Sequence, residues 1–505
     1  MIPLKRRRNV IAVTSEAGWN RFPIGEGRAL ECERHLRTPQ ISRGATSRLD
    51  SRLCAGFTNS LEHDCRIFNL SLGHDTRQLA GGRQLPWALV LDELARELDV
   101  VIVVAAGNVP APSVPAEEAT SPAFQQAILE QLLSPDHGLT DPASALNVLT
   151  VGAVARGDLS RIETEDPERR YLAGAPCHCP APYTRTGNHA EFDGAGSAIK
   201  PELVAFGGNY CLAEGGQRWN KMDANLGEPS LRHDYQGDRL LSAGSGTSLA
   251  APFVTHVCAR IEERLRKDGI RERPTANLIR ALAVHSAQVH SDAESWIGEN
   301  KTPGEAFERR LRLLGYGMPD IRRALFSSDQ HIVLVAEDEL PDGAFHLYEL
   351  ELPSEFLSLS SRRRIRVTLA YDPPVKGTRK EYLRRKLFFR LLSGMQADQI
   401  IQASKDGRDL KQPNTSPASQ TVKNSTVRSV FVEGVRGSKF GQGSEPDAPA
   451  LWHVLVRSEP RLETNGFGGQ RYALVASLEH TDAQVKLLQK VRMRVETRIR
   501  TTWEG

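Results

Sequence analysis

Apolar residues first form a clear pattern near residue 66. Residues 66–73 are a short apolar run ended by glycine, which predicts a buried strand followed by a loop. Residues 86–99 then repeat apolar side chains at helical spacing, and residues 100–108 are too apolar for a strand with one solvated face. This order of strand, helix and buried strand predicts a βαβ unit in a parallel sheet covered on both sides.

The pattern continues as far as about residue 287. A helix is predicted at 125–133 inside a Pro-rich insertion, a strand at 147–154, and a polar, Gly-rich and loop-like region from about 156 to 243, interrupted at 200–205. Ser248 then opens a helix with a continuous apolar face, and a second helix covers 275–287 behind Pro274.

The character of the chain changes after about residue 325. Short alternating segments at 331–336, 365–371, 451–457 and 472–478 predict an antiparallel sandwich or jelly roll, with 491–500 as an edge strand. We therefore predict a doubly wound α/β domain with a mostly parallel sheet at 61–327 and a C-terminal antiparallel β-sandwich-like domain at 328–505. Residues 1–60 are an atypical Arg-rich segment, either a loose extension or the remnant of a domain.

Composition narrows the classes of function. The 505 residues carry 65 basic and 62 acidic side chains, so the net charge of +3 gives no reason to expect nucleic acid. No window approaches ~18 consecutive apolar residues, and no apolar segment follows the basic start, so we expect neither a membrane span nor a secretory signal. The chain has seven cysteines, five of them scattered, which favours reduced thiols and a cytoplasmic location.

One local cluster has metal-ligand residue types, Cys177-His178-Cys179. It could begin a zinc site, but no second Cys/His pair lies at a matching spacing. We therefore predict a Pro-rich loop with no metal, and no cofactor for the chain.

The heptapeptide at 246–252, Gly-Thr-Ser-Leu-Ala-Ala-Pro, carries the strongest chemical signal. A serine at a helix start has its hydroxyl at the positive end of the helix dipole, where developing negative charge is favoured. The small residues Ala250 and Ala251 allow close packing on the sheet, and Pro252 is predicted to lie in the first helical turn. The alternative interpretation is an ordinary serine cap on a buried helix.

Three motifs occur in the order found in subtilisin-like serine proteases, and each resembles that family's motif. They are the heptapeptide, the strand end at 105–108 (Ala-Ala-Gly-Asn) and the loop at 71–73 (Ser-Leu-Gly). The segments 141–143 and 315–317 also resemble the family. The resemblance covers roughly residues 65–325.

The resemblance implies roles for these residues. Ser248 would be the nucleophile and Asn108 the side-chain donor to the oxyanion. For Asn108 alone, a plain turn residue after glycine is the alternative. The family's substrate-binding wall and strand end map onto Ser71, Leu72 and Gly73, and onto Ala105, Ala106 and Gly107.

The family's Asp and His have no clear counterpart before Ser71. Residues 10–16 resemble the Asp-bearing strand, with Glu16 near the place of the acid, and His35 could pair with it. Asp50 and His63 have the right order, but His63 comes too late, and His74 follows the substrate-binding strand instead of preceding it.

Three explanations of the missing pair stay open. The chain is a fragment that has lost its Asp and His, a pseudoprotease that keeps the substrate groove, or a protein whose base and acid come from a partner or from unrecognised residues. We expect a serine endopeptidase acting on a peptide or protein substrate, with a non-catalytic peptide-binding or regulatory module as the alternative. The Tyr-Asp-Pro-Pro segment at 371–374 also resembles bacterial subtilases paired with an AAA-type ATPase.

Overall fold

The computed structural model describes most of the chain from residue 64 onward. The described residues are 11–12, 64–74, 76–79, 83–112, 124–158, 171–187, 198–213, 219–231, 240–352, 356, 361–377, 382–406, 425–433, 450–460, 468–481, 487 and 492–499.

The first half of these residues is built around a parallel sheet and the helices beside it. Its strands and helices are β1 (Ile11–Ala12), β2 (Ile67–Leu70), α1 (Pro86–Leu98), β3 (Val101–Ala105), α2 (Phe124–Leu132), β4 (Leu149–Val154), β5 (Tyr171–Ala173), β6 (Leu203–Phe206), β7 (Cys211–Ala213), β8 (Trp219–Asn220), β9 (Glu228–Leu231), β10 (Leu241–Gly244), α3 (Thr247–Lys267), α4 (Ala276–Ser286), α5 (Ser291–Gly298), α6 (Pro303–Leu314) and α7 (Ile321–Leu325).

The second half contains mainly strands. They are β11 (His331–Leu340), β12 (Phe345–Leu352), β13 (Arg363–Tyr371), β14 (Arg385–Ser393), α8 (Ala397–Lys405), β15 (Thr426–Glu433), β16 (Ala450–Pro460), β17 (Gln470–His480) and β18 (Arg492–Ile499).

The parallel sheet has the order β2-β3-β4-β6 and is covered on both faces. Alternate residues of β3 belong to different cores: Val101 and Val103 pack with α3 and α4, while Ile102 and Val104 pack with α1. A strand buried on both sides needs apolar residues at every position, which explains the unbroken run at 101–105. The predicted doubly wound α/β sheet is confirmed.

The C-terminal half is an antiparallel sandwich, also as predicted. One sheet has the order β1-β11-β17-β13-β15 and the other β14-β16-β12-β18, and their facing side chains share one core. The second face of the larger sheet is also buried, because Val333, Val335 and Val475 belong to the core that contains α3 and α4. β18 lies at a sheet edge, as its sequence predicts.

One segment pairs differently from our interpretation. Ile11 and Ala12 pair antiparallel with Val335 and Leu334 of the sandwich. The interpretation of residues 10–16 as the acid-bearing strand requires a place in the parallel sheet, so that interpretation is wrong for these two residues.

The two halves meet through buried arginines. Arg428 donates hydrogen bonds to the backbone oxygens of Val284 (2.9 Å), Ala287 (2.6 Å) and Tyr316 (3.0 Å), and its guanidinium lies 4.8 Å from the centre of the Tyr316 ring. Arg280 of α4 donates to the side-chain hydroxyls of Ser425 at 2.6 Å and Thr426 at 2.9 Å. The two guanidinium groups thus link the end of α4 and its neighbouring loops to the sandwich.

The segment at 371–374 also lies in this interface. All four of its residues are buried, and Asp372 pairs with Arg471 while the backbone oxygen of Pro373 accepts a hydrogen bond from Asn147 at 3.2 Å. Contacts within the chain therefore account for this sequence, and association with an AAA-type ATPase stays a prediction. None of the described helices is long and apolar enough to cross a membrane.

A buried ion pair joins the starts of β4 and β6. The Lys200 ammonium pairs with Glu202 and donates to the backbone oxygen of Val148 at 3.2 Å, while Glu202 accepts the Thr150 N–H at 2.8 Å. Burial lowers the pKa of Lys200 and raises the pKa of Glu202, and each charge partly offsets this for the other. Each of the two side chains therefore needs the charge of the other to stay ionised in the interior.

The segment at 315–317 packs directly on this ion pair. A Cβ on Gly315, whose φ is +55°, would lie 2.0 Å from the Pro201 oxygen, so only glycine fits there. The next residue, Tyr316, donates its N–H to the Glu202 oxygen at 2.8 Å. These contacts explain why two glycines flank this tyrosine.

We expect Glu202→Gln to lower the free energy of unfolding by about 3–5 kcal/mol, because it leaves the Lys200 ammonium buried without a counter-charge. Urea denaturation followed by tryptophan fluorescence measures the loss. Glu263→Gln is the matched control, because its pair with Arg260 is exposed and should contribute at most about 1 kcal/mol. Equal losses in the two variants would contradict this account.

Candidate active site

Ser248 is the second residue of α3 and is exposed at the start of the helix. Further along the helix, Ala250 and Ala251 are fully buried against the parallel sheet. Their small side chains let the start of α3 approach the ends of the strands closely, as the sequence predicted.

Pro252 lies deeper in the helix than predicted. The helix begins at Thr247, so Pro252 is its sixth residue and has no N–H to offer to the Ser248 carbonyl oxygen one turn earlier. The Ser71 hydroxyl lies 3.5 Å from that oxygen and can donate to it instead. The break in the helical hydrogen bonds is therefore next to a predicted substrate-binding loop.

Asn108 is exposed immediately after β3, and its amide is held in one orientation. Its Oδ1 accepts two hydrogen bonds from Thr247, from the backbone N–H at 3.0 Å and from the hydroxyl at 3.1 Å. A backbone N–H can only donate, so the atom facing it must be the amide oxygen. The Nδ2 group of Asn108 is consequently available to donate a hydrogen bond elsewhere. It lies 3.3 Å from the position that a Cβ on Gly246 would occupy.

Thr247 completes a clamp between β3 and α3. Its buried hydroxyl accepts the Gly107 N–H at 3.1 Å while donating to Asn108. Gly107 has φ +96°, a conformation that favours glycine, and this turn brings Asn108 to the helix start. We call Gly107, Asn108 and Thr247 the oxyanion clamp.

Gly246 is positioned from its other side by a buried tyrosine. The Gly246 N–H donates to the Gly207 oxygen at 2.8 Å, and the Tyr183 hydroxyl donates to the same oxygen. Burial raises the pKa of Tyr183 well above its usual value, so this hydroxyl is a neutral donor. A Cβ on Gly207 would lie 2.7 Å from the Ala153 side chain, which explains the glycine.

The loop at 71–73 is tied to α3 at a second point. Asn69 donates from Nδ2 to the Ser71 hydroxyl at 3.1 Å, and its Oδ1 lies 3.2 Å from the Thr255 hydroxyl. Leu72 is half-buried and Gly73 is exposed beside the Asp141 oxygen, to which the N–H of His74 donates at 2.7 Å. The loop therefore runs past the start of α3.

The other predicted substrate-binding residues differ in accessibility. Ala105 and Ala106 are buried, and Gly107 is half-exposed. Only Gly107 of these three is open to a molecule lying at the end of β3.

Asp141 has a structural role at the start of α1. Its carboxylate accepts the N–H groups of Trp87 at 3.1 Å and Ala88 at 2.9 Å, which caps the first turn of α1. Burial raises its pKa and these hydrogen bonds oppose the rise. The family-like segment at 141–143 thus fixes the helix beside the 71–73 loop.

The base and the acid are not among the described residues that contact Ser248. None of the described residues forms a hydrogen bond with the Ser248 hydroxyl. His74 is occupied in its own turn, where its Nδ1 accepts from Thr76 at 3.3 Å and Arg77 at 3.1 Å. The remaining substitutes lie outside the described residues: Glu16, His35, Asp50 and His63.

Sequence reasoning gave no role to several residues that hold this site. Thr247, Asn69 and Thr255 connect the loop, the strand end and the helix by side-chain hydrogen bonds. The signal available in the sequence for such a residue was Asn69, which is polar and lies inside an otherwise apolar strand.

A parallel α/β sheet with a helix-start serine beside an asparagine at a strand end places this protein in the α/β class with a doubly wound sheet. The family model described as the subtilase family, peptidase S8, matches residues 39–317, more than half of the chain. The chain belongs to the subtilase family. The match starts ahead of the motifs near residue 65, in a part of the chain outside the described residues.

Several known proteins resemble this chain in sequence or in structure. "Uncharacterized protein y4bN" of Sinorhizobium fredii is 33% identical over 451 residues, which cover 86% of this chain and 96% of that protein. The self-cleaved protease domain of PatA is 17% identical, with a TM-score of 0.28, over 55% of this chain and 66% of that one. The prenylagaramide maturation protease PagA is also 17% identical, with a TM-score of 0.32, over 57% and 70%.

Thr247→Val should lower the free energy of unfolding by about 1–2 kcal/mol, because the Gly107 N–H loses its acceptor in a partly buried position. Thr247→Ser retains the hydroxyl and should lose clearly less. Urea denaturation of the three proteins gives the comparison. If the valine and serine variants were equally stable, the hydroxyl of the oxyanion clamp would have no energetic role.

Proposed function

We propose that this chain is the nucleophile-bearing part of a subtilisin-like serine endopeptidase, with Ser248 as the nucleophile and Asn108 as a donor to the oxyanion. The observation that carries the proposal is the orientation of the Asn108 amide. Both hydrogen bonds from Thr247 go to Oδ1, which leaves the Nδ2 donor beside the start of α3. A donor held there before substrate arrives is what stabilisation of an oxyanion needs.

The chemistry follows from the two positions. The Ser248 hydroxyl attacks a peptide carbonyl carbon and passes its proton to a base, and the carbonyl oxygen becomes an oxyanion near Asn108 Nδ2. When the C–N bond breaks, the base returns the proton to the leaving amine, and an acyl group remains on Ser248. Water then hydrolyses this ester with the same base.

The substrate would lie along the 71–73 loop. This loop lies beside the helix start and is accessible to an extended peptide, while the N–H and the carbonyl of the half-exposed Gly107 are already hydrogen-bonded within the protein. Ser71 connects the loop to the Ser248 backbone, so a peptide bound there would lie beside the nucleophile.

The base remains to be identified by experiment. Its candidates on this chain are His35 and His63, outside the described residues, and the alternative is a group supplied by a partner polypeptide. Without a base, Ser248 is a poor nucleophile, because nothing removes its proton.

A second candidate function is a non-catalytic peptide-binding or regulatory module. The observation in its favour is that none of the described residues is hydrogen-bonded to the Ser248 hydroxyl. Such a module would bind peptides in the same groove and leave them uncut.

Labelling with a fluorophosphonate probe separates these two functions. We expect the purified 505-residue chain to be labelled and Ser248→Ala to be unlabelled, because the probe reacts with an activated serine. His35→Ala and His63→Ala then test the two candidate bases, and the loss of labelling in one of them identifies it. His74→Ala is the control and should label normally, because its ring nitrogen is used in its own turn.

A folded wild-type chain that is not labelled would exclude an endopeptidase composed of this chain alone. In that case, peptide binding without cleavage, measured by fluorescence anisotropy, would support the binding module.

Asn108→Ala should lower kcat about 100- to 1,000-fold and leave KM nearly unchanged, because the oxyanion exists only in the transition state. Cleavage of a fluorogenic peptide by the wild type and the variant, neither of them treated with the probe, measures both constants. Asn225→Ala, at an exposed asparagine outside the site, is the control. A rise in KM with unchanged kcat would mean that Asn108 only binds the substrate.

A further inference from the structure

Two histidines and an aspartate from distant parts of the chain lie together outside the Ser248 site. His178 lies in the segment between β5 and β6, while His290 and Asp292 lie at the start of α5. One possible ligand atom from each residue lies within 4.8 Å of the other two. We propose that these three side chains bind a zinc ion or a similar divalent first-row transition metal.

The residue types select this class of metal. Imidazole nitrogen suits zinc and its neighbours in the first row, whereas calcium and magnesium prefer oxygen ligands. Three protein ligands leave a fourth tetrahedral position for water.

The present hydrogen bonding leaves a place for a cation between His290 and Asp292. His290 Nδ1 accepts the Asp292 N–H at 3.3 Å, so in the neutral ring this nitrogen carries a lone pair. The same nitrogen lies 3.4 Å from Asp292 Oδ2. The two atoms are thus close enough to bind one metal ion, which would take over the lone pair that now accepts the Asp292 N–H.

His178 contributes a second unsatisfied nitrogen. Its Nδ1 is buried and has no hydrogen-bond partner. Burial lowers the pKa of His178, and the neighbouring His290 lowers it further, so the ring is neutral near pH 7. Neutral imidazole is the form that binds metals.

The two imidazole rings are stacked face to face, with centroids 3.9 Å apart and planes 7° apart. A shared metal requires one ring to turn so that its nitrogen points to the ion. The side chain of His290 is 44% exposed, so it has room to turn without disturbing the core.

The backbone on the His178 side is firmly held. The His178 N–H donates to the Ala155 oxygen at 2.9 Å, and the Ala155 N–H donates to the Cys179 oxygen at 2.8 Å. The metal would thus connect the end of β4 to the start of α5. The same segment supports the oxyanion clamp a few residues later, where the Arg185 N–H donates to the Gly107 oxygen at 3.1 Å.

This site differs from the one that the sequence cluster suggested. Cys179 is fully buried and burial raises its pKa to about 12, while the Cys177 thiol lies 3.1 Å from the Arg156 oxygen. The three proposed ligands include neither cysteine. The partners of His178 come from more than a hundred residues later in the chain, which is why no local spacing revealed them.

Zinc binding to the full chain tests the proposal. After treatment with a chelator and dialysis, titration calorimetry with Zn²⁺ should show one ion per chain, and elemental analysis should give the same ratio. His290→Ala and Asp292→Ala should each weaken binding at least about 100-fold, since loss of even an outer-shell partner costs about 10–100-fold. Both residues are exposed, so neither change should prevent folding.

The controls separate this site from other possible sites. His256→Ala removes an exposed histidine of α3 and should leave zinc affinity unchanged, and so should Cys177→Ser. Affinity should fall as the pH is lowered, because protons compete with the metal for the imidazoles. Zinc should also raise the unfolding temperature of the wild type and not of His290→Ala.

Two results would overturn the proposal. One is a folded wild type that binds no zinc at micromolar concentration. The other is full affinity in His290→Ala and Asp292→Ala together with lost affinity in Cys177→Ser, which would place the metal on the cysteines. Neither result depends on whether Ser248 is catalytic, so this test and the test of the proposed function can fail separately.

Discussion

The side chain and backbone of Thr247 fix the relation between β3 and α3, and the candidate site depends on that relation. Thr247 makes two hydrogen bonds to Asn108 and receives one from Gly107. These bonds can form only if the helix start comes close to the strand end. Burial of the small residues Ala250 and Ala251 against the sheet permits that approach. Packing and hydrogen bonding therefore impose the same geometry, and neither would hold it alone.

Much of the first half of the fold could be predicted because its strands are buried on both faces. Residues 101–105 contribute alternately to two cores, so the sequence shows one long apolar run with sharp ends. The helix at Pro86–Leu98 was predicted because its apolar residues recur at a single spacing. The motif residues Ser248 and Asn108 were found for a different reason, since a resemblance to a family singled them out.

Strand β12, which the sequence analysis did not predict, has a different environment on each of its two faces. In β12, His346, Tyr348 and Leu350 face the sandwich, while Phe345 and Leu347 on the opposite face are covered by α8. Further along the same outer face, the half-exposed Glu349 breaks the apolar pattern. A simple alternation of apolar and polar residues is lost, although each residue suits its own surroundings. Long-range pairs such as Thr255 with Asn69 leave no periodic signal at all.

The described part of the chain supplies several groups that orient Ser248 and Asn108. Gly207 and Tyr183 hold Gly246, Thr247 holds Asn108, and Asn69 with Ser71 holds the neighbouring loop. None of these contacts involves a histidine or a carboxylate. The contacts that hold Ser248 and Asn108 are thus separate from the base and acid that the proposed reaction needs. If a base from another part of the chain or from a partner completes the proposed site, it would meet Ser248 and Asn108 already in position, since preorganisation requires only that the donors be fixed beforehand.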